Sequence, residues 1–205
     1  MERIIKYLLL LIFLGFSFLN TNAQDYHIGL KVGADIYKNL GNTVVEEYHT
    51  YPYGGAYLGI SGEKLGLYVE GIFSQTTMVA GDNFNQIYKG YIATGKQSIQ
   101  NPKFSFAEIS VPILISYKLF NPVWAEGGLQ FTKIVNMTDK ENVLKEIQNI
   151  YKDSYISGVL GLRIFLTRKI QLHGRYIYGF SDRNNSSINE KWTTQHFQAG
   201  LSYGL

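Results

Sequence analysis

The chain contains no cysteine among its 205 residues. Disulfide bonds, thiolate metal ligands and a lipid anchor on an N-terminal cysteine are therefore all excluded. An excess of one charge is also lacking, because 19 basic and 16 acidic residues leave a formal net charge of +3. A balance this even argues against nucleic acid as a partner. Prolines are few (4) while tyrosines are many (16), a composition compatible with a β protein of either the membrane or the water-soluble kind.

Long apolar runs are absent except near the N-terminus. There, Arg3 and Lys6 precede an apolar run over residues 8–19, and small residues follow it. This pattern predicts a signal peptide over residues 1–23, cleaved between Ala23 and Gln24, which leaves one domain over 24–205. A membrane anchor is the alternative, but a spanning helix needs about 20 apolar residues.

Eight later segments alternate apolar and polar residues with the period of β-strands. Their connections run alternately long and short, and each segment has roughly the 9 to 11 residues that a tilted membrane strand needs. The sequence therefore predicts an all-β fold, an eight-stranded antiparallel up-and-down transmembrane β-barrel with short periplasmic turns and four longer extracellular loops. The predicted strands are 26–37, about 53–61, 65–76, 104–119, 123 to about 133, 155–166, 170–180 and 192–205, and the predicted loops are 38–52, 77–103, 134–154 and 181–191.

The two faces of these segments differ in chemistry. One face is aliphatic in mid-strand and aromatic near the strand ends, as the lipid-facing surfaces of membrane barrels are. The opposite face is charged and polar, which predicts a polar interior. A water-soluble, lipocalin-like barrel with the faces reversed is the structural alternative. The aromatic residues fall at two levels, Tyr26, Tyr117 and Tyr203 at one and Phe73, Phe131, Tyr178 and Phe180 at the other.

Seven ionisable side chains on the polar face are predicted to form a structural charge network inside the barrel. Eight strands enclose room for side chains only, and charges held there must be paired. Similar heights on neighbouring strands predict a Glu126–Arg163 pair, and Lys31 is expected to reach Glu70 over Gly59. An ion pathway or proton relay is the functional alternative to this plug. The seven residues are Lys31, Asp35, Glu70, Glu108, Glu126, Arg163 and Arg175.

Catalytic and metal sites are not indicated. His173 and His196 face the interior from adjacent strands but lie near opposite ends, so no metal site is expected. A lipid-modifying barrel enzyme needs a histidine and a serine at the lipid-facing rim, and the strand histidines point inward. The sequence therefore predicts no catalytic residue, no cofactor and no metal.

Two segments resemble a known family. Residues 106–117 read FAEISVPILISY and resemble the YxEIPLLLKY strand of PorT-like outer-membrane β-barrel proteins of Bacteroidetes-type Gram-negative bacteria. Residues 172–181 resemble that family's RYxxGLxxI hairpin. The resemblance implies an accessory role in protein secretion, of type IX, and no known catalytic role. Pro112 cannot donate to a ladder and is expected to mark a bulge or kink. The positions carried over as structural are Glu108, Pro112, Arg175, Tyr176 and Gly179.

The last predicted strand also resembles the signal that barrel-insertion machinery reads. That pattern is polar, any, glycine, two of any kind, apolar, any, apolar. Residues 198–205 fit it with Gln198, Gly200, Tyr203 and Leu205, although the final residue is leucine where phenylalanine is usual. The sequence therefore predicts the barrel-assembly machinery as a partner.

The external loops carry two further patterns. A capping-box spacing from Thr138 to Glu141, followed by apolar residues on one helical face, predicts an amphipathic helix in loop 134–154. The helix would serve as a lid or docking element, or would only order the loop. Exposed loop tyrosines, among them Tyr48, Tyr88 and Tyr91, favour protein contact.

Three function classes remain open. The first is a non-enzymatic outer-membrane barrel with a structural, interaction or assembly role, whose partners are outer-membrane lipid, the assembly machinery and other envelope proteins. The second is a narrow channel or a small-ligand-binding barrel, and the third is a lipid-active enzyme. All three place the mature chain in the cell outer membrane.

Overall fold

The computed structural model describes residues 25–205, so the predicted signal peptide and its cleavage site lie outside the described residues. Almost all of the described chain is strand. Side chains alternate along each strand between the lumen, which holds polar residues, glycines and buried aromatic and aliphatic residues, and the outer surface, which is mainly apolar. The strands are β1 (Asp25–Leu40), β2 (His49–Ser61), β3 (Leu65–Val79), β4 (Lys103–Phe120), β5 (Val123–Asp139), β6 (Ser154–Phe165), β7 (Ile170–Gly179) and β8 (Thr193–Gly204).

The strands follow one another in chain order around a closed barrel. Every neighbouring pair is antiparallel, and β8 closes the barrel on β1 with Gly29 opposite Gly204 and Leu40 opposite Thr193. The predicted eight-stranded up-and-down barrel is therefore confirmed. No helix of residues 25–205 is long and apolar enough to span a membrane.

The apolar side chains face outward, which also agrees with the prediction. Leu160 is 69% exposed and Ile115 is 63% exposed, although both lie in the middle of a strand. A belt of exposed aliphatic residues around the whole barrel is far larger than the apolar patches that soluble proteins display. The reversed, lipocalin-like arrangement is therefore wrong. Other members of the belt are Ile28, Leu30, Val32, Leu58, Val69, Ile109, Leu129, Ile156, Leu162, Leu172 and Leu201.

The predicted amphipathic helix in loop 134–154 is wrong. Thr138 and Asp139 still belong to β5 and pair with Ser105 and Phe104 of β4. Asn142 then takes a positive φ of 50°, which an α-helix does not tolerate. Strand pairing and this break override the local pattern, and only a 3₁₀ turn over Ile147–Asn149 forms.

The expected bulge at Pro112 is also wrong. Pro112 lies directly opposite Gln130 in an unbroken register. The irregularity lies instead between Ala107 and Glu108, opposite Ile134 and Asn136 of β5. Strands β4 and β5 extend beyond this bulge, so the fifth strand reaches Asp139 and not only residue 133.

Candidate functional site: lumen and external cap

A lattice of ion pairs fills the middle of the barrel. Glu70 accepts hydrogen bonds from Lys31 Nζ at 2.6 Å, from Arg163 Nη2 at 3.1 Å and from both terminal nitrogens of Arg175 at 2.6 and 2.7 Å. Glu126 lies on the other side of the two arginines, 3.0 Å from Arg163 Nε and in contact with Arg175 Nε. Two carboxylates and three cations, all buried, therefore form one connected network, which we call the central lattice.

Aromatic and amide side chains complete the surroundings of the central lattice. The Arg163 guanidinium lies 3.8 Å from the centre of the Tyr68 ring, and its Nη1 donates to Gln171 Oε1 at 3.1 Å. Such contacts offset part of the cost of removing the cation from water. Arg163 and Arg175 each contact both carboxylates, whereas Lys31 contacts only Glu70, so removing the charge of Glu70 leaves Lys31 buried without a carboxylate partner.

Both side-chain pairs predicted from the sequence are in contact in the structure, but the predicted position of Gly59 beside Lys31 is wrong. Glu126 contacts Arg163 and Lys31 contacts Glu70, as expected. The residue opposite Lys31 on β2 is Gly55, however, and Gly59 lies opposite Tyr68 on β3. The shear of the barrel, which the sequence does not reveal, sets this offset.

Asp35 and Glu108 lie apart from the central lattice, nearer the external end. Asp35 Oδ2 is 3.2 Å from His196 Nδ1. Glu108 accepts a hydrogen bond from Tyr155 Oη at 3.1 Å and forms a salt bridge of 3.2 Å with Arg183 Nη2. The seven predicted interior charges therefore belong to two layers, and the second layer needs a cation that the sequence analysis did not include.

Arg183 supplies that cation from the fourth external loop. Its side chain enters the mouth of the barrel, donates to Tyr37 Oη and lies 4.7 Å from the centre of the Tyr155 ring. Burial acts against the charge of Arg183, but the electrostatic influence of Tyr37, Tyr155 and Glu108 outweighs it and raises the pKa of the guanidinium above its ordinary value. Arg183 therefore ties the fourth loop to the barrel wall as a permanent cation.

Above Arg183, all four external loops contribute to a hydrophobic cluster, which we call the cap. Phe84 and Tyr88 stack with ring centres 4.7 Å apart, and Trp192 packs against Tyr88 at 5.2 Å. Tyr88 was expected to be exposed, but it is fully buried here. The cap consists of Val44, Met78, Ala80, Phe84, Tyr88, Phe104, Phe106, Ile134, Leu144, Ile150, Tyr151, Tyr155 and Trp192.

Polar contacts fasten the cap across the loops. Glu190 accepts hydrogen bonds from the Thr43 backbone N–H at 2.8 Å, from Thr43 Oγ1 at 2.7 Å and from Tyr88 Oη at 3.2 Å. Trp192 Nε1 donates to Thr43 Oγ1 at 3.1 Å. These bonds join the first, second and fourth loops, so the cap behaves as one folded unit and not as four independent loops.

The histidines serve as hydrogen-bonding groups in the interior. His173 contacts Tyr53 Oη and lies 3.5 Å from Ser202 Oγ, while His27 lies 2.9 Å from Ser61 Oγ. In residues 25–205 no three histidines or acidic residues gather in a way that would hold a metal ion. His173 and Ser202 lie inside the barrel, away from any lipid-facing position.

The periplasmic end of the lumen opens into a vestibule of about 970 Å³. His27, Trp124 and Phe165 form its inner wall, and Glu63 and Arg168 of the periplasmic turns line its mouth. The vestibule ends at the central lattice, since the Tyr68 ring that covers Arg163 also stacks on His27.

The predicted assembly-signal residues lie on the strand that closes the barrel. Gln198 is buried opposite Asp35, whereas Tyr203 is 46% exposed and Leu205 is 72% exposed on the outer surface. The Leu205 backbone N–H donates to Ile28 O at 2.9 Å. Packing disfavours a side chain at Gly200, because a Cβ there would lie 2.5 Å from the backbone oxygen of Val32.

Known proteins match this chain in fold. No family model and no curated protein matches its sequence. Among solved structures, it is similar to Ail, the attachment invasion locus protein of Yersinia pestis, in complex with the heparin analogue sucrose octasulfate. That alignment covers 88% of this chain and 99% of Ail, with 9% identity and a TM-score of 0.51.

A second solved structure, Neisserial surface protein A (NspA), gives the same result. It aligns over 88% of this chain and 99% of its own, with 12% identity and a TM-score of 0.50. The likeness is one of fold. The chain is an eight-stranded barrel of the outer-membrane type, and the comparisons do not single out the PorT-like proteins.

Proposed function

We propose that the protein is a non-enzymatic outer-membrane barrel whose closed lumen makes it a rigid support for its external cap, through which it contacts other envelope proteins. The observation that carries this proposal is that buried ion pairs fill the lumen at two levels, in the central lattice and at Arg183 beneath the cap. A barrel whose lumen is filled in this way does not serve as a conduit for solutes. Its outer surface and its external loops are the parts that can bind a partner.

Location in the outer membrane follows from the same surfaces. The exposed aliphatic belt requires lipid around it, because water would otherwise contact it on every side. The predicted signal peptide over residues 1–23 would take the chain across the inner membrane. The C-terminal residues Gln198, Gly200, Tyr203 and Leu205 would then direct it to the assembly machinery.

A PorT-like accessory role in type IX secretion is the finer form of this proposal. It rests on the resemblance of residues 106–117, in which Glu108 and Pro112 match the family pattern. Glu108 has a defined task in this structure, since it anchors Arg183 at 3.2 Å. That task is structural, which agrees with a family whose motif has no catalytic role.

The second candidate function is a small-ligand-binding barrel, and the vestibule favours it. A pocket of about 970 Å³ with aromatic walls is large enough for a ligand of drug size. A lipid-modifying enzyme gains no support, because the histidines of strands β1, β7 and β8 point into the lumen.

The location of the protein in the outer membrane and the exposure of its cap can be tested together. The absence of native cysteine makes a single Asn149→Cys variant, on an exposed position of the third loop, a clean label site. We expect the protein in the outer-membrane fraction, with an SDS-gel band that shifts on heating. We also expect a membrane-impermeant maleimide to label Asn149→Cys on intact cells. A soluble periplasmic protein, or labelling only after lysis, would contradict the proposal.

A further inference from the structure

Strand β5 rises above its neighbour β6 at the external end. The β5–β6 register ends where Lys133 pairs with Ser154, and the Ile134 backbone N–H makes a last bond of 2.7 Å to Asp153 O. Residues 136–139 continue as strand and pair with β4 on their other side only. Within residues 25–205, no backbone group of 135–138 bonds to the chain that leads into β6. We call residues 135–139 the free edge.

A cavity of about 630 Å³ lies beside the free edge. Its far wall is the returning part of the third loop, from Gln148 to Ser154, together with Asn185 of the fourth loop. The far wall is itself held in place, because the Asn185 backbone N–H donates to Ile150 O at 2.8 Å and its side chain donates to Gln148 O at 3.0 Å. The cavity is thus a fixed slot between a strand edge and a second wall.

An edge with unpaired backbone donors and acceptors is a template for another strand. Proteins commonly use such edges to bind an extended peptide, with main-chain hydrogen bonds giving the affinity. The slot runs along four residues of β5, from Ile134 to Met137, and an added strand needs about 4.8 Å beside its neighbour.

We propose that the free edge binds an extended, polar segment of a partner protein as a ninth strand lying in this slot. The lining decides the chemistry of the segment. Asn136, Gln148 and Asn185 carry amides, and the two charged residues of the lining are already paired, Asp153 with Lys133 and Lys152 with Asp182. A neutral segment with amide and hydroxyl side chains therefore fits better than an apolar or a strongly charged one. This inference rests on the proposed function, because it names the surface through which the cap acts.

The test uses a defined probe, the fluorescein-labelled peptide Thr-Gln-Thr-Asn-Thr-Gln-Thr, with the purified full barrel in detergent micelles. Threonine favours the extended conformation, and the amides match the lining. The matched control probe has the same sequence with N-methyl groups on alternate amides, which removes the main-chain donors of one edge and leaves the side chains intact. Losing about two main-chain hydrogen bonds weakens binding by roughly tenfold or more.

Two barrel variants locate the site. Asn136→Trp places a large side chain in the slot, and Gln97→Trp places the same side chain on an exposed part of the second loop away from it. We expect saturable binding of the unmodified probe to the native barrel and to Gln97→Trp, at least about tenfold weaker binding to Asn136→Trp, and a similar loss for the N-methylated probe.

Equal binding of the two probes, or no saturable binding up to about 1 mM, would overturn the proposal. The probe comparison uses the native barrel, so it stands even if Asn136→Trp does not fold. Failure of the free-edge proposal is also distinguishable from failure of the proposed function. A barrel that shifts on heating and is labelled at Asn149→Cys, but that ignores the probe, keeps the function and loses only the free-edge site.

Discussion

Arg183 in the fourth external loop and Glu108 in the wall of β4 form a salt bridge of 3.2 Å inside the mouth of the barrel. Both side chains are buried. The pair joins the cap to the barrel, and Arg183 brings the interior to four cations against the four carboxylates Asp35, Glu70, Glu108 and Glu126.

Removing the cation should therefore weaken both the cap and the barrel. In Arg183→Ala, Glu108 stays buried without a charged partner, and we expect a loss of about 3–5 kcal/mol in the free energy of unfolding. Urea unfolding in micelles, followed by tryptophan fluorescence, measures this loss, and trypsin cleavage after Lys191 reports loosening of the fourth loop. Asn189→Ala, on an exposed position of the same loop, keeps the cleavage site and is the control. Equal stability of the two variants would show that Arg183 holds nothing in place.

The central lattice should be equally sensitive at Glu70. Its two oxygens accept hydrogen bonds from Lys31, Arg163 and Arg175. Glu70→Gln removes the charge while keeping the shape, so three buried cations are left with Glu126 as their only carboxylate. We expect a loss of at least about 3 kcal/mol, seen as a lower temperature for the heat-induced gel shift. Glu63→Gln, in an exposed turn, should leave that temperature unchanged.

Much of this arrangement could be predicted from the sequence, because a strand has a period of two. Once a strand is recognised, the position of Lys31 or Glu126 in it fixes the face, and membrane barrels place the polar face inside. The Glu126–Arg163 pairing followed from height alone.

Arg183 could not be placed in this way, because loop residues have no period that assigns them to a face. One signal was nevertheless present. The interior set counted three cations, Lys31, Arg163 and Arg175, against the four anions Asp35, Glu70, Glu108 and Glu126. One positive charge was missing from a space that does not tolerate unpaired charge.

The free-energy cost of placing a charge on the outer face should depend on how deep in the membrane the substituted position lies. Leu160 lies in mid-strand and is 69% exposed, whereas Leu166 directly follows the periplasmic end of β6. Leu160→Arg should cost about 2–4 kcal/mol and Leu166→Arg about 0–1 kcal/mol in refolding into lipid vesicles. Equal, small costs at both positions would mean that the belt does not face lipid.

The cap should open at alkaline pH. Burial, followed by the nearby Glu190 carboxylate, raises the pKa of Tyr88 above its ordinary value of 10.0, and burial raises that of Tyr151 in the same direction. The folded cap holds these protons more tightly than an opened cap does. Their contribution to stability is therefore complete below pH 10 and is lost as the pH rises beyond it.

Tyrosinate absorbance and trypsin cleavage of the external loops, followed together, measure this opening. Tyrosines outside the cap also contribute to the absorbance, so cleavage should rise together with the late step of the absorbance, above pH 10. Tyr88→Phe removes one of the two groups and should shift the transition to higher pH. Cleavage that begins well below the tyrosinate signal would show that these two tyrosines do not control the cap.

The central claim is that the lumen is closed, and single-channel recording in planar lipid bilayers tests it most directly. The native barrel, inserted and verified by its heat-shifted band, should give no current steps, because the central lattice and Arg183 close the lumen at separate levels. The single variant Arg183→Ala should also give no current steps, because the central lattice still fills the lumen. Regular conductance steps from the native barrel would contradict the account and would make the protein a channel.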